Sequence, residues 1–264
     1  MPQPYELTVF QASQQIKEKK LSPVDLAQSL LERIDATESD LKAWVTIDRE
    51  EVLTTAKQLE EEASQGKSRG LLHGVPVGLK DIFYTAGVAT TACSKVYADF
   101  VPKHDATTVA RLQEGGGIML GKTVTTEFAY RDPSPTRNPW NIDHTPGGSS
   151  SGSAAAVAAM MCPIAFGSQT RGSVLRPASY NGIVGLKPTF GRVSRFGVVP
   201  LSWSFDHVGW MARSVEDVAL MLQVMAGPDE NDPTTLNDDI PDYSVGIKNP
   251  SPPHVGVLQD YFFE

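Results

Sequence analysis

The chain has 264 residues, of which 41% are hydrophobic, and its 23 basic and 31 acidic residues give a net charge of −8. This composition predicts a globular protein with a large core and excludes a disordered one. The acidic balance argues against nucleic acid or an anionic membrane as a partner, because phosphate binding needs clustered cations. With only two cysteines, Cys93 and Cys162, a disulfide scaffold is excluded and a cytoplasmic setting is expected.

Targeting, membrane and metal signals are missing from the sequence. Residues 1–6 contain no basic segment leading into an apolar one, so we expect no secretory signal. The longest apolar stretch, residues 154–165, is too short to span a bilayer. The cysteines form no CxxC pair and the five histidines show no ligand spacing. We therefore expect no metal site, no cofactor and no membrane partner.

The first seventy residues read as helical. Ser22 followed by Pro23 is typical of a helix start, and apolar residues then recur at helical spacing. Residues 50–65 predict a second amphipathic helix that Gly66 ends. We expect residues 1–70 to pack as a helical segment on a core formed by residues 71–264, the N-terminal portion of a single larger domain.

The rest of the chain alternates strands, helices and loops. The predicted strands are residues 74–80, 118–121, 163–166 and 255–258, the predicted helices are 106–114, 153–160 and 215–226, and the predicted loops are 131–152 and 229–243. The last strand is followed by apolar residues 261–263 with nothing downstream to cover them. We therefore expect the chain to be part of a longer protein.

Two short motifs suggest functions that their contexts do not favour. Residues 116–123 match the phosphate-loop pattern GxxxxGK[ST], but their apolar interior reads as a strand and the preceding residues read as a helix. A helix, glycine turn and strand are the simpler interpretation, and nucleotide binding stays open. Residues 148–152 match GxSxG without the strand that such an elbow needs before it. Nothing around His207 or His254 marks either as the required base.

Three polar segments together carry the chemistry. They are Gly-Leu-Lys-Asp at 78–81, Gly-Gly-Ser-Ser-Ser-Gly-Ser at 147–153, and Gly-Ser-Gln-Thr-Arg-Gly-Ser at 167–173. The first follows an apolar strand, and the other two are joined by one helix and one strand, so the segments can meet at one end of the fold. We expect Ser150, Ser151 and Ser153 to cap and support the helix that starts there.

In wording and order, these segments resemble the amidase signature family. The match extends through Arg-Pro-Ala-Ser at 176–179 and Gly-Ile-Val-Gly-Leu-Lys-Pro at 182–188, and includes Gly-Val-Pro-Val-Gly-Leu-Lys-Asp at 74–81. The resemblance implies an α/β fold, with a mixed β-sheet flanked by helices on both faces. Family members are substantially longer, so the fold is expected to be incomplete at the C-terminus.

The resemblance also implies a Ser–Ser–Lys triad. Lys80 matches the family's base, Ser173 its nucleophile, and Ser149 its bridging serine, whose preceding peptide bond is cis in that family. The matching oxyanion hole consists of the backbone N–H groups of Thr170, Arg171, Gly172 and Ser173.

The residue types at these three positions fit the chemistry that the triad would perform. A serine hydroxyl needs a base to become a nucleophile, and a lysine is a base only when neutral. Its pKa must fall by roughly three units from about 10.4, which corresponds to about 4 kcal/mol. Burial beside Val75, Val77 and Leu79 favours this shift. Because a hydroxyl both donates and accepts, Ser149 can relay a proton between Ser173 and Lys80.

Several positions depart from the family pattern. Arg171 stands where a small residue is usual, and Gln169, Leu175 and Asn181 differ from the branch that charges transfer RNA indirectly. These differences favour a general amidase acting on small acyl or aryl amides, and carbamates or esters are further candidates. The alternatives are a catalytically impaired binding subunit or a glutaminase-type amidotransferase subunit. The expected partners are a small-molecule amide and the missing C-terminal portion, and a homodimer stays open.

Overall fold

The computed structural model describes residues 3–248, 250–252 and 254–257. None of the helices in these ranges is both long and apolar enough to cross a membrane. The α-helices are α1 (Val9–Lys17), α2 (Pro23–Leu41), α3 (Arg49–Ser64), α4 (Thr107–Glu114), α5 (Ser151–Ala158), α6 (Leu175–Tyr180), α7 (Val215–Met225) and α8 (Tyr243–Lys248).

One mixed six-stranded sheet organises the fold, as expected for the α/β class. Its strands are β1 (Trp44–Thr46), β2 (Pro76–Lys80), β3 (Ile118–Thr123), β4 (Ile164–Gln169), β5 (Val184–Leu186) and β6 (His207–Ala212). The strand order is β1-β3-β2-β4-β6-β5. The three central strands β3, β2 and β4 run parallel, and β1, β6 and β5 pair antiparallel to their neighbours. The carboxyl ends of β2, β3 and β4 therefore lie at the same edge.

The N-terminal segment follows its predicted helices with one exception. Ser22 caps α2 by accepting hydrogen bonds from the N–H groups of Val24 and Asp25, and Pro23 occupies the first turn. The prediction that residues 1–70 are helical throughout is wrong at β1, which pairs with β3 at the edge of the sheet. Three residues give too short a pattern to read as a strand, and pairing with β3 decides their conformation.

A continuous hydrophobic core joins this segment to the sheet. Leu30 of α2 and Leu79 of β2 are fully buried in the same cluster as Phe166 of β4 and Trp210 of β6. The Phe166 ring lies 5.5 Å from the Phe83 ring and 6.1 Å from the Trp210 ring, measured between centroids. These aromatic contacts fix the centre of the sheet, next to the strand that carries Lys80.

The structure settles the predictions for the middle of the chain. Residues 116–123 form a glycine turn followed by β3, which is the alternative to a phosphate loop. The predicted strand 163–166 is longer in the structure, where β4 continues through residues 167–169, and β5, β6 and α6 were not predicted. Residues 255–257 form no strand, and Leu258, the last residue of the strand predicted there, lies outside the described residues.

Helix α5 lies unusually close to its neighbours because its side chains are small. It contacts β2, β3, β4 and β6, and residues 151–157 are all buried. A Cβ atom at Gly152 would lie 2.2 Å from the carbonyl oxygen of Ala43 and 2.4 Å from the backbone nitrogen of Val124. Backbone atoms cannot move aside as a side chain can, so only glycine fits here.

We expect Gly152→Ala to lower the free energy of unfolding by about 3 kcal/mol or more, because overpacking against backbone costs at least the usual overpacking penalty. Urea denaturation measures the change. The matched control is Gly246→Ala in α8, where a Cβ atom meets nothing within 4 Å. Equal stability of the two variants would contradict the close approach.

Candidate active site

The candidate site forms where the parallel strands end. Lys80 is the last residue of β2, and Ser168 and Gln169 end the neighbouring strand β4. The loop that precedes α5 brings Ser149 to the same edge, where its carbonyl accepts a hydrogen bond from the N–H of Thr126 just beyond β3. Carboxyl ends of strands are where open α/β sheets usually bind ligands.

Lys80 is fully buried and its amine contacts two serine hydroxyls. Lys80 Nζ lies 2.7 Å from Ser149 Oγ and 2.9 Å from Ser168 Oγ. Burial lowers the pKa of Lys80 to about 7, and the nearby Asp206 and Cys93 oppose that shift. A substantial fraction of the lysine is therefore neutral near pH 7, which is the state that a base requires.

The segment directly before Ser149 is fixed by a contact with Arg176. The Gly148–Ser149 peptide bond is cis, as the family resemblance implies, and Gly147 has a φ of +78° that a glycine adopts without strain. The Gly148 carbonyl oxygen accepts hydrogen bonds from Arg176 Nε at 3.0 Å and Arg176 Nη2 at 2.6 Å. The guanidinium fork therefore fixes the peptide that places the Ser149 hydroxyl.

The serines after Ser149 connect α5 to the sheet. Ser150 makes no helix-capping hydrogen bond, contrary to the expectation. Its hydroxyl instead bonds the carbonyl and the N–H of Ser168, each at 3.3 Å, and Ser153 Oγ donates to the Phe166 carbonyl at 2.8 Å. These hydroxyls bond to the backbone of β4 and not to the N–H groups of the helix, because β4 lies directly beside the helix. They tie the loop of Ser149 to the strand that leads to Ser173.

Ser173 lies at the start of a loop-to-helix turn and is 8% exposed. Its carbonyl oxygen accepts a hydrogen bond from the N–H of Ser150 at 3.2 Å, which joins it to the Ser149 segment. In the described part of the chain, the hydroxyls of Ser149 and Ser173 are not hydrogen bonded to each other. Hydrogen bonds in active sites are often long when no substrate is bound. The separation of these two hydroxyls therefore still allows proton transfer between them once a substrate binds.

The predicted oxyanion donors are available for a ligand. Among the described residues, the backbone N–H groups of residues 170–173 donate to no protein acceptor. Thr170 is anchored through its hydroxyl, which donates to Asp206 Oδ1 at 2.5 Å, and Gly172 through its carbonyl, which accepts from the Arg176 N–H at 2.8 Å. The loop is thus held while its N–H groups stay free.

Two supporting residues escaped the sequence reasoning. Ser168 is the second acceptor for Lys80, and Gln169 Oε1 accepts the N–H groups of Val174 and Leu175, each at 2.9 Å. Gln169 therefore caps the start of α6 and fixes the turn that carries Ser173. The sequence did contain a signal for both residues, because they belong to the polar segment 167–173 and directly precede the predicted oxyanion residues 170–173.

Asp81 organises the loop on the other side of Lys80. Its carboxylate accepts hydrogen bonds from the hydroxyl and the N–H of Thr91, with the N–H 3.1 Å from Oδ2, and from the N–H of Cys93 at 3.5 Å. Burial raises the pKa of Asp81 and of Cys93, the latter to about 11. Cys93 is therefore a thiol at neutral pH, which leaves the carboxylate of Asp206 as the charge that opposes the lowered pKa of Lys80.

The lysine of the phosphate-loop pattern and one histidine considered for the GxSxG pattern both make structural contacts. Lys122, the lysine of the phosphate-loop pattern, is buried and donates to the Phe83 carbonyl and to Thr85 Oγ1 and Thr90 Oγ1. His207, considered for the GxSxG pattern, uses Nδ1 to contact the Phe205 carbonyl at 2.7 Å. Within the described residues, no group of three or more potential metal ligands occurs.

A cavity of about 760 Å³ opens beside Ser173. Thr170, Arg171 and Gly148 line it together with Ser173, so the predicted nucleophile and part of the predicted oxyanion loop face the same space. Further lining comes from Tyr180, from Leu201 and from six residues that follow β3, namely Thr126, Ala129, Tyr130, Arg131, Pro133 and Ser134. The cavity is large enough for a small organic substrate.

Comparison with known proteins identifies the family. The Amidase family profile matches residues 25–264. The chain belongs to the amidase family. The native peptide amidase from Stenotrophomonas maltophilia superposes with a TM-score of 0.84 at 41% identity, over 89% of this chain and 51% of that one. A glutamyl-tRNA(Gln) amidotransferase subunit from Thermotoga maritima superposes with a TM-score of 0.76 at 35% identity, over 90% and 50%.

Curated relatives point to one branch of the amidase family. The corresponding glutamyl-tRNA(Gln) amidotransferase subunit from Desulfatibacillum aliphaticivorans is 43% identical over 98% of this chain and 54% of its own length. Its counterpart from Carboxydothermus hydrogenoformans is 43% identical over 98% and 55%. The chain therefore spans about half the length of these relatives. Their names favour the amidotransferase alternative over the general amidase that Gln169, Leu175 and Asn181 suggested.

The lowered pKa of buried Lys80 predicts how the free energy of unfolding changes with pH. Its pKa is lower in the folded chain, about 7, than in the unfolded chain. Between about pH 7 and 10 the unfolded chain therefore binds a proton that the folded chain does not, and stability rises with pH. Relative to Lys80→Met, the wild-type unfolding free energy should rise by ~3 kcal/mol from about pH 7 to 9.5.

Urea denaturation of both proteins at the two pH values gives this difference. All other titrating groups are common to both proteins, so their contributions largely cancel. A difference that stays constant with pH would show that Lys80 titrates alike in the folded and unfolded chains.

Proposed function

We propose that this chain carries the amide-cleaving centre of a glutaminase-type amidotransferase subunit. Ser173 is the nucleophile, Ser149 the proton relay and Lys80 the base. The observation that carries the proposal is the buried contact of 2.7 Å between Lys80 Nζ and Ser149 Oγ, beside a cavity that contains Ser173.

The reaction begins with proton transfer. Neutral Lys80 takes the hydroxyl proton of Ser149, which takes the proton of Ser173 as its oxygen attacks the amide carbonyl. The relay then reverses: the proton passes from Lys80 through Ser149 to the nitrogen of the leaving group as the C–N bond breaks. The acyl group remains on Ser173 Oγ until water, activated by the same relay, releases it as the carboxylic acid.

Negative charge on the carbonyl oxygen requires donors. The N–H groups of Thr170, Arg171, Gly172 and Ser173 are the candidate donors, since none of them is used within the described part of the fold. Losing one such donor typically costs about 10²–10³-fold in rate, so a loop with several free N–H groups supports the proposed chemistry.

The curated relatives favour an amidotransferase role. They are named as subunits of an amidotransferase, and the similarity covers 98% of this chain. In such a role, the ammonia released at Ser173 is passed to an acceptor bound by partner subunits. The acidic chain itself remains a poor candidate for contacting nucleic acid.

A second candidate is hydrolysis of small amides, as the structural similarity to a peptide amidase allows. One observation favours it: the described residues that line the cavity include no aspartate or glutamate. The α-ammonium group of glutamine therefore finds no carboxylate in this part of the site. A simple acyl amide lacks that group and needs no such partner.

Replacing the nucleophile tests the shared chemistry. We expect Ser173→Ala to lower hydrolysis of an acyl 4-nitroanilide at least 10³-fold, because no other hydroxyl occupies its position. The matched control is Ser179→Ala on the exposed side of α6, which should keep wild-type rates. A fluorophosphonate probe should label Ser173 in the wild type and nothing in Ser173→Ala. Unchanged hydrolysis or labelling in that variant would refute the assignment.

Ammonia release separates the two candidates. Wild type and Ser173→Ala are each supplied with glutamine or with a simple fatty acyl amide, and ammonia is measured by a coupled enzymatic assay. Glutaminase-type function predicts Ser173-dependent release from glutamine at least tenfold faster than from the fatty acyl amide, since sites that pair with polar substrate groups reject analogues lacking them. The reverse preference supports the amide hydrolase.

A further inference from the structure

Three arginines line the cavity that contains Ser173. Arg131 comes from the loop after β3, Arg171 from the predicted oxyanion loop, and Arg176 from α6. No carboxylate lines this cavity within the described residues, although the chain as a whole carries a net charge of −8. The cavity is thus a positive site on a negative protein.

The charge of these arginines is not neutralised by ion pairs. In the described part of the structure, no carboxylate oxygen lies within 4.0 Å of a guanidinium nitrogen of Arg131, Arg171 or Arg176. Arg131 lies 5.9 Å above the ring of Tyr130, which leaves its N–H donors available. Arg176 uses Nε and Nη2 on the Gly148 carbonyl and keeps Nη1 free.

The neighbouring carboxylate of Asp206 forms no ion pair with these arginines in the described part of the structure. Asp206 belongs to the adjacent pocket, where its oxygens accept hydrogen bonds from Thr170 Oγ1 at 2.5 Å and from the N–H groups of Leu201 and Ser202 at 2.7 Å. These three donors occupy the carboxylate. The guanidinium groups of Arg131 and Arg171 therefore remain the charged donors that a ligand in the cavity meets.

We propose that this cavity selects amide substrates whose acyl part carries a free carboxylate, bound by Arg131 and Arg171 while Ser173 attacks the amide carbonyl. The inference rests on the proposed amide cleavage at Ser173 and names its substrate class. A guanidinium presents parallel N–H donors that match both oxygens of a carboxylate, and such charge-assisted pairs are the strongest hydrogen bonds available here. Arg176 mainly holds the Gly148 peptide and adds positive charge.

Two chromogenic amides of nearly equal length test the proposal. Glutaryl 4-nitroanilide ends in a carboxylate, and pentanoyl 4-nitroanilide is its neutral counterpart. We expect kcat/KM to favour the glutaryl compound by about tenfold or more, and the preference to fall roughly three- to tenfold in Arg131→Gln and in Arg171→Gln. Added salt should weaken it, since the site is partly exposed.

The matched control is Arg137→Gln, an exposed arginine that does not line the cavity. It should keep the wild-type preference. Equal cleavage of both compounds by the wild type overturns the proposed selectivity and leaves the role of Ser173 intact. A preference that survives both Arg131→Gln and Arg171→Gln equally overturns the assignment to these residues.

Binding separates failure of the inference from failure of the proposed function. Glutarate is titrated calorimetrically into the wild type, Arg131→Gln, Arg171→Gln and Arg137→Gln, which requires no turnover. Binding that weakens only in the two cavity variants supports carboxylate selection even if neither anilide is cleaved. Absence of glutarate binding to the wild type overturns it.

Discussion

The candidate site depends on a buried lysine whose hydrogen-bond partners in the described structure are hydroxyls and not carboxylates. Lys80 is enclosed at the end of β2 between the hydroxyls of Ser149 and Ser168, and this burial lowers its pKa to about 7. An aspartate in place of either serine would pair with the ammonium group and keep it charged. The surrounding fold must therefore enclose the amine of Lys80 and provide only hydroxyl groups as its partners.

The parallel arrangement of β2, β3 and β4 makes that enclosure possible. Because β2 lies between the other two, Lys80 emerges in the middle of the edge where Thr126 and Ser168 also lie. Helix α5 leads from the loop of Ser149 back to β4, and Gly152 allows it to lie against the backbone of Ala43 and Val124. The close approach of α5 thus sets where the Ser149 hydroxyl lies relative to the lysine.

Sequence reasoning found the central elements because their signals are local. Ser22 and Pro23 mark α2, and the three polar segments mark the end of β2, the start of α5 and the end of β4. The short edge strands β1 and β5 were missed because three residues carry no period of their own, and partner strands decide their conformation. The role of Gln169 was missed for a similar reason, since its two acceptor contacts exist only once α6 has formed.

The branch of the family was harder to infer than the family itself. Gln169 differs from the residue expected in the amidotransferase branch, yet its side-chain oxygen still accepts the N–H groups of Val174 and Leu175. An amide oxygen performs this task as a carboxylate would, so the difference carries little information about the substrate. Residues that line the cavity, such as Arg131 and Arg171, carry more information about the substrate, because a bound substrate would contact them directly.

Of the two buried lysines, Lys80 and Lys122, only Lys80 has partners that suit the proposed role of a base. Lys122 has a pKa lowered to about 8 by burial, similar to Lys80, but it donates to a backbone carbonyl of Phe83. Thr90 Oγ1, which also accepts from Lys122, donates its own proton to the same carbonyl. A neutral amine there would have a lone pair that no donor faces. Around Lys80 both partners are serine hydroxyls, which can reverse from acceptor to donor, so protonation and deprotonation are both satisfied without moving the backbone.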